Sequence, residues 1–258
     1  MQHTEREREF FDEHWARVQL EDIRDPLQVP GVDSLAGRRV LICSCGSGVE
    51  PVMAANAGAI VSAFDISPVG VANALRLATH NGVTIDARVM DFHDLTYPDE
   101  SFDVIYGLAI LHHVNVERVA PHIWRCLAPG GIAYFHENSD RNPMLRLARR
   151  VIFGPRGRAR RSSRLGFTRH GTADEYPITE ADVRALDRAC HGNLVRLYPR
   201  FQFFGLLSIH GWRNPRFAAA LSAIDAAIGR SAPFLRPYGF LQDLCVRKPR
   251  PHPPASLT

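Results

Sequence analysis

The chain has 258 residues, of which 45% are apolar and 22% charged, and its formal net charge is +4. This size and composition predict one sizeable domain with a full core, or one domain with a small appendage. No run of about eighteen apolar residues occurs, and the charged first segment, MQHTEREREFFDEHW, lacks the apolar centre of a secretory signal. We therefore expect a soluble, cytoplasmic protein without stable membrane insertion.

The chain contains five cysteines, an odd number that fits reduced thiols. A CSC pair lies inside a predicted buried strand, and the remaining cysteines have no spacing typical of a metal site. We expect core packing for all of them and no bound metal. They are Cys43, Cys45, Cys126, Cys190 and Cys245.

In chain order, the first predicted element is an amphipathic helix over 5–18, with Phe10, Phe11 and Trp15 on one side. A connection marked by Pro26 and Pro30 follows it. Buried strands then alternate with helices. The predicted strands are RRVLICSC, IVSAFD, IDARVMD, FDVIYGLAIL, GIAYFHE and NLVRLYP, and GFLQDLCVRK is a last strand at or near the sheet edge.

This alternation predicts the fold class. Continuous apolar strands separated by helices are typical of a parallel sheet covered on both faces. We expect an α/β fold: a Rossmann-like, doubly wound, mostly parallel seven-stranded sheet with helices on both faces. An N-terminal helix and an inserted lid complete the predicted architecture.

Two stretches of the second half are less regular. The arginine-rich stretch predicts either a mobile solvated loop or a surface that contacts phosphate, nucleic acid or a membrane. The apolar stretch RFQFFGLLSIHGW predicts a helix facing the core or a substrate pocket, and its 201–212 part is a candidate homodimer interface. The arginines are Arg146, Arg149, Arg150, Arg156, Arg158, Arg160, Arg161, Arg164 and Arg169.

The turn after the first predicted strand is the most informative feature. VLICSCGSG at 40–48 runs from an apolar strand into Gly46 and Gly48, so that backbone can approach a ligand closely where a helix begins. Asp65 ends the next strand, where its carboxylate can accept hydrogen bonds from both hydroxyls of a ribose. The alternative role for Asp65 is only to cap the helix that follows.

Other polar residues also end predicted strands. Asp91, the segment 108–113 and Glu137 each follow or end one of them. In a doubly wound sheet the ligand lies outside the carboxyl ends of the strands, near the point where the winding reverses. The sequence therefore predicts that these residues surround one crevice with Gly46 and Asp65.

These motifs resemble those of the class I S-adenosylmethionine-dependent methyltransferases over about residues 35–137. VLICSCGSG is similar to that family's glycine-rich first motif, FDIS to its ribose-binding acidic position and VMDF to its adenine-binding loop. ESFDVIYGLAILHHV and LAPGGIAYFHE are similar to its fourth strand and to the turn into the fifth. S-adenosylmethionine is therefore the implied cofactor.

The resemblance implies a role for each matching residue. Gly46 and Gly48 are expected against the methionine portion, Asp65 at the ribose, and Leu108 beneath the sulfonium. Asp91 is expected to accept from the adenine amino group, beside Phe92. The complete predicted cofactor-binding set is Cys45, Gly46, Gly48, Asp65, Ile66, Asp91, Phe92 and Leu108.

Two positions depart from the family pattern. Ile42 stands where an acidic residue is common, and Ser44 stands where a glycine is common. The loss of that carboxylate leaves open how the cofactor's amino group is held: a backbone carbonyl near Ser44 and the carboxylate of Glu50 are both candidates. Glu50 is equally explained as a first-turn residue favoured by the helix dipole.

Three residues are the predicted catalytic candidates. His112 and His113 follow the fourth strand, and histidine titrates near neutral pH. Glu137 at the end of the fifth strand competes with His136, and we choose Glu137 for the substrate side. Structural roles remain open for all of them, and His170 and Tyr176 in the lid are weaker candidates. Trp15 and His14 either close over the cofactor or pack.

The domain boundaries follow from these assignments. We expect an N-terminal helix and cap over the cofactor at 1–30, a cofactor-binding core at 31–141 and a basic lid at 142–178. The C-terminal part of the fold spans 179–248, and a proline-bearing tail, expected to be disordered, spans 249–258.

The predicted function is methyl transfer by in-line displacement to a small molecule, such as a natural product, lipid or sugar intermediate. The arginines suggest an anionic acceptor, no nucleic-acid partner is expected, and the acceptor atom stays open. A cofactor-dependent cyclase or rearrangement enzyme on the same fold, or a non-catalytic binding protein, are the alternatives.

Overall fold

The structure of this protein is a computed structural model that describes residues 2–153, 177–206 and 215–251. Most of the predicted basic lid lies outside these ranges, as do His170 and Tyr176. The described beginning of that lid is a helix at Pro143–Phe153 rather than an irregular segment. Half of the predicted apolar interface, from 207 to 212, and the tail from 252 also lie outside the described residues.

The described elements follow the predicted alternation of strands and helices. The strands are β1 Arg39–Cys43, β2 Ile60–Asp65, β3 Asp86–Val89, β4 Phe102–Leu108, β5 Leu127–Asn138, β6 Leu194–Leu197 and β7 Leu241–Arg247. The helices are α1 Gln2–Trp15, α2 Val49–Asn56, α3 Pro68–His80, α4 Val116–Cys126, α5 Pro143–Phe153, α6 Glu180–Ala189 and α7 Pro215–Ser231.

All seven strands form one sheet in the order β3-β2-β1-β4-β5-β7-β6. The strands from β1 to β5 pair in parallel, whereas β7 pairs antiparallel with both β5 and β6. The predicted α/β Rossmann-like sheet is therefore confirmed. The last strand, β7, lies near the sheet edge as predicted, and β6 forms the edge itself.

Successive side chains of β1 pack alternately into two separate core layers. Leu41 and Cys43 pack with Phe135 and the helices α4 and α6 on one face. Val40 and Ile42 pack on the other face with α2, α3 and the segment at 27–35. Apolar burial on both faces explains why the strands read as continuous apolar runs rather than as alternating ones.

The connection between α1 and β1 is extended, and it is anchored to two helices. The amide of Ile23 donates to Asn81 Oδ1 at 2.7 Å, and that of Leu27 donates to the carbonyl of Met53 at 2.8 Å. Leu27, Val29 and Leu35 are buried. These anchors hold the 27–35 segment beside the carboxyl ends of β4 and β5.

Helix α1 lies against the beginning of α3. Asn73 Nδ2 donates to the carbonyl of Trp15 at 2.7 Å, and the Ser67 hydroxyl donates to Asp12. The predicted helix at 5–18 is therefore present, with observed bounds of Gln2–Trp15. Since α3 begins at the carboxyl end of β2, α1 lies over the crevice where β1 and β4 diverge.

All five cysteines are free and buried, as their predicted core role requires. Among the described residues, no group of three or more histidine, cysteine or acidic side chains is arranged to hold a metal ion. None of the helices within those ranges is long and apolar enough to cross a bilayer.

Replacing Gly48 by alanine tests how closely α2 approaches α3. Gly48 has φ +94°, and an added Cβ would lie 2.5 Å from Ala74 Cα. Gly82→Ala is the matched control, because Gly82 has φ +69° with open space around the added Cβ. We expect a loss of about 1–2 kcal/mol in unfolding free energy for the control, from backbone strain alone.

For Gly48→Ala we expect a further loss of about 1–3 kcal/mol, because the backbone of α3 must move. Urea unfolding of both variants measures the difference. Equal losses in the two variants would show that the close approach of the helices does not affect the unfolding free energy.

Candidate active site

The glycine turn joins β1 to α2, and three of its residues have left-handed backbone. Ser44 has φ +62°, Gly46 +46° and Gly48 +94°. A non-glycine residue in this region costs about 1–2 kcal/mol, so Ser44 carries strain that a glycine would not. Its hydroxyl donates to Asp65 Oδ2 at 3.2 Å, which offsets part of that cost.

Asp65 holds this turn against the end of β2. Its Oδ2 also accepts from the amide of Gly46 at 2.8 Å, and its Oδ1 accepts from the amide of Ser67 at 2.9 Å. The side chain is almost fully buried. Burial raises the pKa of Asp65, and the hydrogen bonds from Ser67, Gly46, Ser44 and the Ile66 amide oppose that rise.

A cavity of about 260 Å³, here called the turn cavity, opens beside the glycine turn. The turn and Glu50 form one wall, and residues from β4 and α1 form the others. Burial raises the pKa of Glu50, whose carboxylate lies in the first turn of α2. The lining residues are Phe11, Trp15, Ile42, Cys43, Ser44, Cys45, Gly46, Ser47, Glu50, Tyr106, Leu108, Ala109 and His113.

Helix α1 covers the turn cavity with aromatic side chains. A Cβ added to Gly46 would lie 2.8 Å from the Trp15 ring, and one added to Gly70 would lie 3.2 Å from it. Phe11 meets His113 edge to face, with ring centroids 5.3 Å apart. His14 is exposed and contacts Trp15, so Trp15 rather than His14 faces the turn.

A second cavity of about 620 Å³, here called the sheet cavity, lies against the face of β4 and β5. The 27–35 segment forms its outer wall with both apolar residues and the polar residues Gln28, Asp33 and Ser34. Tyr106, Leu108, Tyr134 and His136 form its inner wall. Tyr106 and Leu108 line both cavities, so the two spaces meet at the end of β4.

The predicted adenine residues lie at the end of β3, away from the lining of both cavities. Asp91 Oδ1 accepts from the amide of His93 at 2.9 Å and faces its Nδ1 at 2.7 Å. This contact with His93 lowers the pKa of Asp91. Phe92 is buried and packs against Phe64, with centroids 5.1 Å apart.

Glu137 lies on the opposite face of β5 from the sheet cavity. Its Oε1 accepts from the amides of Ile110 and Leu111 at 2.8 and 2.6 Å, and its Oε2 faces His112 Nδ1 at 2.8 Å. The side chain is 0% exposed. The geometry thus assigns Glu137 and His112 to bracing the loop after β4, not to the substrate side expected for Glu137.

His113 and His136 occupy different cavities. His113 lines the turn cavity, and its Nδ1 lies 3.5 Å from Glu7 Oε2 on α1. His136, the rival of Glu137 in the sequence, lines the sheet cavity, and its Nδ1 lies 2.5 Å from Asp243 Oδ1 on β7. Asp243 was missed because 107 residues separate it from His136; only the pairing of β5 with β7 joins them.

Comparison with known proteins adds family evidence to this geometry. Residues 41–135 match the family model described as a methyltransferase domain. The matched segment is similar to a methyltransferase domain. The predicted resemblance is confirmed, together with the S-adenosylmethionine cofactor that is characteristic of this domain.

The methyltransferase domain also has characterised relatives. The ubiquinone biosynthesis O-methyltransferase of Pseudomonas entomophila is 34% identical over 129 residues, 48% of this chain and 55% of that protein. The ubiquinone biosynthesis O-methyltransferase of Agrobacterium fabrum is 34% identical over 101 residues, which cover 39% of this chain and 40% of that protein. The chain thus spans about half the length of the curated relatives it matches.

Solved structures share the fold across almost the whole chain. The cyclase SpnF has a TM-score of 0.58 at 20% identity, with 95% of each chain covered. The geranyl diphosphate C-methyltransferase of Streptomyces coelicolor has a TM-score of 0.55 at 13% identity, with 97% of this chain and 99% of that chain covered. At these identities the likeness concerns the fold alone.

Substitution of Glu137 separates a structural from a catalytic role. Glu137→Ala removes the acceptor from two backbone amides, and buried unsatisfied donors cost about 1–3 kcal/mol each. We expect a correspondingly large loss in unfolding free energy, measured by urea unfolding. Glu137→Gln keeps one acceptor oxygen and is expected to lose less.

Glu117→Ala, an exposed position on α4, is the control and is expected within about 0.5 kcal/mol of the parent protein. An alanine variant at 137 with unchanged unfolding but abolished methyl transfer would instead make Glu137 catalytic.

Proposed function

We propose that this protein is an S-adenosylmethionine-dependent methyltransferase acting on a small molecule. The observation that carries the proposal is the meeting of two cavities at Tyr106 and Leu108 within a methyltransferase domain. The turn cavity takes the methionine end of the cofactor, and the sheet cavity takes the acceptor. The methyl group passes where the two spaces join.

The residues of the turn cavity fit an amino acid with a cationic group. Family members commonly have an acid at the position of Ile42, which is buried in the core here. Glu50 supplies a half-buried carboxylate in the same cavity, and partial burial raises its pKa. A cationic amino group favours the ionised form of such a carboxylate, so we assign Glu50 to hold the cofactor's ammonium.

The Asp65 region fits the ribose, with one restriction. A carboxylate has about four acceptor sites. Gly46, Ser44 and Ser67 donate to Asp65, and the Ile66 amide interacts with it as well. Asp65 therefore has two roles in the proposal: it shapes the glycine turn, and a ribose hydroxyl shares its oxygens with these donors. We retain Asp91 and Phe92 for the adenine end.

The bound cofactor supplies an activated methyl group on a sulfonium, so the protein mainly has to orient the acceptor and exclude water. Trp15 and Phe11 cover the turn cavity from α1. Leu108 is 41% exposed although it is apolar, and it lies at the junction of the cavities. We assign it to the sulfonium, as its position after β4 predicts.

The sheet cavity suits a small acceptor with both apolar and polar groups. Its volume of about 620 Å³ lies within the usual range for small-molecule sites of about 300–1,000 Å³. Leu27, Val29 and Leu35 line it from the extended segment, opposite Tyr106 and Tyr134. The matched O-methyltransferases support oxygen as the acceptor atom. An anionic acceptor and a homodimer stay predictions.

The direct test uses methyl-labelled S-adenosylmethionine, a panel of hydroxylated small molecules and extracts of the producing cell. We expect label in a small metabolite and stoichiometric S-adenosylhomocysteine. Glu50→Gln is the matched comparison, with weaker cofactor binding expected. Label only in protein or RNA contradicts the small-molecule acceptor, and substrate consumption without S-adenosylhomocysteine favours a rearrangement enzyme.

Asp65→Ala is expected to weaken S-adenosylhomocysteine binding on the order of ten- to a hundredfold, since hydrogen bonds to a charged group contribute about 1.5–3 kcal/mol. Titration calorimetry measures the dissociation constant. Ser44→Ala is the control, because it removes one bond to the carboxylate but keeps the charge. Equal weakening in both variants would indicate a distorted turn rather than a lost ribose contact.

The same measurement has a predicted pH dependence. Burial raises the folded-state pKa of Asp65, and the ribose hydroxyls donate best to the ionised carboxylate. Affinity is therefore expected to fall as the pH is lowered through that raised pKa. Asp65→Asn is expected to lose this dependence, with Glu50→Gln measured beside it because burial raises the pKa of Glu50 too.

A further inference from the structure

His136 and Asp243 form a histidine–carboxylate pair at the wall of the sheet cavity. The two residues stand directly opposite each other in the antiparallel pairing of β5 with β7. The distance from His136 Nδ1 to Asp243 Oδ1 is 2.5 Å. Asp243 is 3% exposed, whereas the side chain of His136 is 22% exposed and lines the cavity.

The surroundings of the pair are aromatic. Tyr134, two residues before His136, interacts with Asp243; burial first, and then this interaction, raises the pKa of Tyr134 well above its usual range. Tyr134 stacks on Tyr106 with ring centroids 5.9 Å apart and an angle of 18°. Burial, with smaller effects of Glu50 and Asp243, raises the pKa of Tyr106 to about 12.

The carboxylate decides which nitrogen of His136 is basic. An ionised carboxylate only accepts hydrogen bonds, so the Nδ1 that faces Asp243 carries the proton. The neutral ring then has its lone pair on Nε2, on the side away from Asp243. A ring that is held in one tautomer, with its basic nitrogen free at a cavity wall, is the arrangement of a general base.

We propose that His136 is the general base of the methyl transfer, that Asp243 is its positioning residue, and that the acceptor is a phenol. The proposal rests on the proposed function for the identity of the reaction. The acceptor's hydroxyl proton passes to Nε2 of His136 while its oxygen forms a bond to the methyl carbon. The carbon–sulfur bond breaks, and its electron pair stays on sulfur as the thioether of S-adenosylhomocysteine.

The acceptor class follows from acidity and shape. A phenol has a pKa near 10, close enough for imidazole to remove its proton during the reaction, whereas an aliphatic alcohol is far less acidic. The stacked rings of Tyr106 and Tyr134 line one side of the cavity, and Leu27, Val29 and Leu35 line the other. An aromatic ring bearing a hydroxyl matches both features.

The other histidines near the site are engaged differently. His112 is held by the fully buried Glu137 behind β5, and His113 lies between Glu7 and Phe11 of α1 at the turn cavity. Only His136, of the histidines that the structure describes, lines the sheet cavity. His136, rather than His112 or His113, therefore lies where the acceptor is proposed to bind.

The titratable groups around the pair lie on several elements. They are Asp243 on β7, Tyr134 on β5, Tyr106 on β4 and Asp33 on the 27–35 segment. The guanidinium of Arg247 on β7 contacts that segment at Gly31.

The first experiment uses 4-nitrocatechol, a phenol that changes colour on ionisation, and measures its methylation by the full chain. His136→Gln is expected to lower kcat by about 10²–10⁴-fold. The dissociation constant for S-adenosylhomocysteine and the thermal unfolding midpoint are expected to stay unchanged, and added imidazole to restore part of kcat. His80→Gln is the matched control, since His80 forms an exposed pair with Asp22 at 3.1 Å on α3.

A second readout does not need turnover. With S-adenosylhomocysteine bound, the ionisation midpoint of bound 4-nitrocatechol is followed by its visible absorption against pH. An imidazolium beside the phenolate is expected to lower this midpoint by about one pH unit relative to His136→Gln. This measurement stays valid if 4-nitrocatechol is bound but not methylated.

Asp243→Asn tests the positioning role. Nitrogen NMR of labelled histidine is expected to show His136 protonated at Nδ1 in the parent protein and to lose this preference in the variant. A fall in kcat with little change in KM is expected alongside it. Tyr134→Phe, which keeps the carboxylate, is expected to have a smaller effect.

The outcomes separate the two proposals. Absence of labelled product from every acceptor overturns the proposed function, while the ionisation and NMR results still decide the role of His136. Equal ionisation midpoints in parent and His136→Gln, no binding of 4-nitrocatechol, or an unchanged kcat in His136→Gln overturns the general-base proposal. A loss of kcat explained by a lowered unfolding midpoint, with no imidazole rescue, overturns it as well.

Discussion

The carboxylate of Asp65 is a buried acceptor that joins the first two strands at their carboxyl ends. It binds the amides of Gly46 and Ser67 and the hydroxyl of Ser44, and thereby fixes a turn in which Ser44 and the glycines have left-handed backbone. The same turn lines the turn cavity, together with Glu50 and the end of β4. Trp15 packs on the same turn, so the position of α1 depends on it too.

Three buried carboxylates at strand ends or on neighbouring strands have three different tasks. Asp65 shapes the turn, Glu137 braces the loop after β4, and Asp243 holds His136. Each accepts hydrogen bonds from groups that would otherwise lie unpaired in a poorly solvated place, which explains how the charges are accommodated. In our proposals Asp65 supports the cofactor site and Asp243 supports the acceptor site. Glu137 holds the loop after β4 in place between the two sites.

Much of the fold was predictable because its signals are local. The apolar runs at β1, β2, β4 and β5 indicate strands buried on both faces, and the glycine turn with Asp65 indicates a ligand crevice. The position of β7 near the sheet edge was predicted, but its antiparallel partners were not, because its own residues do not show which strands lie beside it. Pairing with β5 and β6 requires contacts between segments far apart in the chain.

The sequence by itself determined the order of strands and helices, the glycine turn and the resemblance to methyltransferases. Hydrophobic periodicity and short motifs depend only on residues that are close together in the chain. Only the tertiary structure decided which member of the His136–Glu137 pair faces a cavity. Successive side chains of a strand point to opposite faces, and the sequence alone does not say which face is covered. Packing of α1 and the 27–35 segment decided it, and the β5–β7 pairing then brought Asp243 to His136.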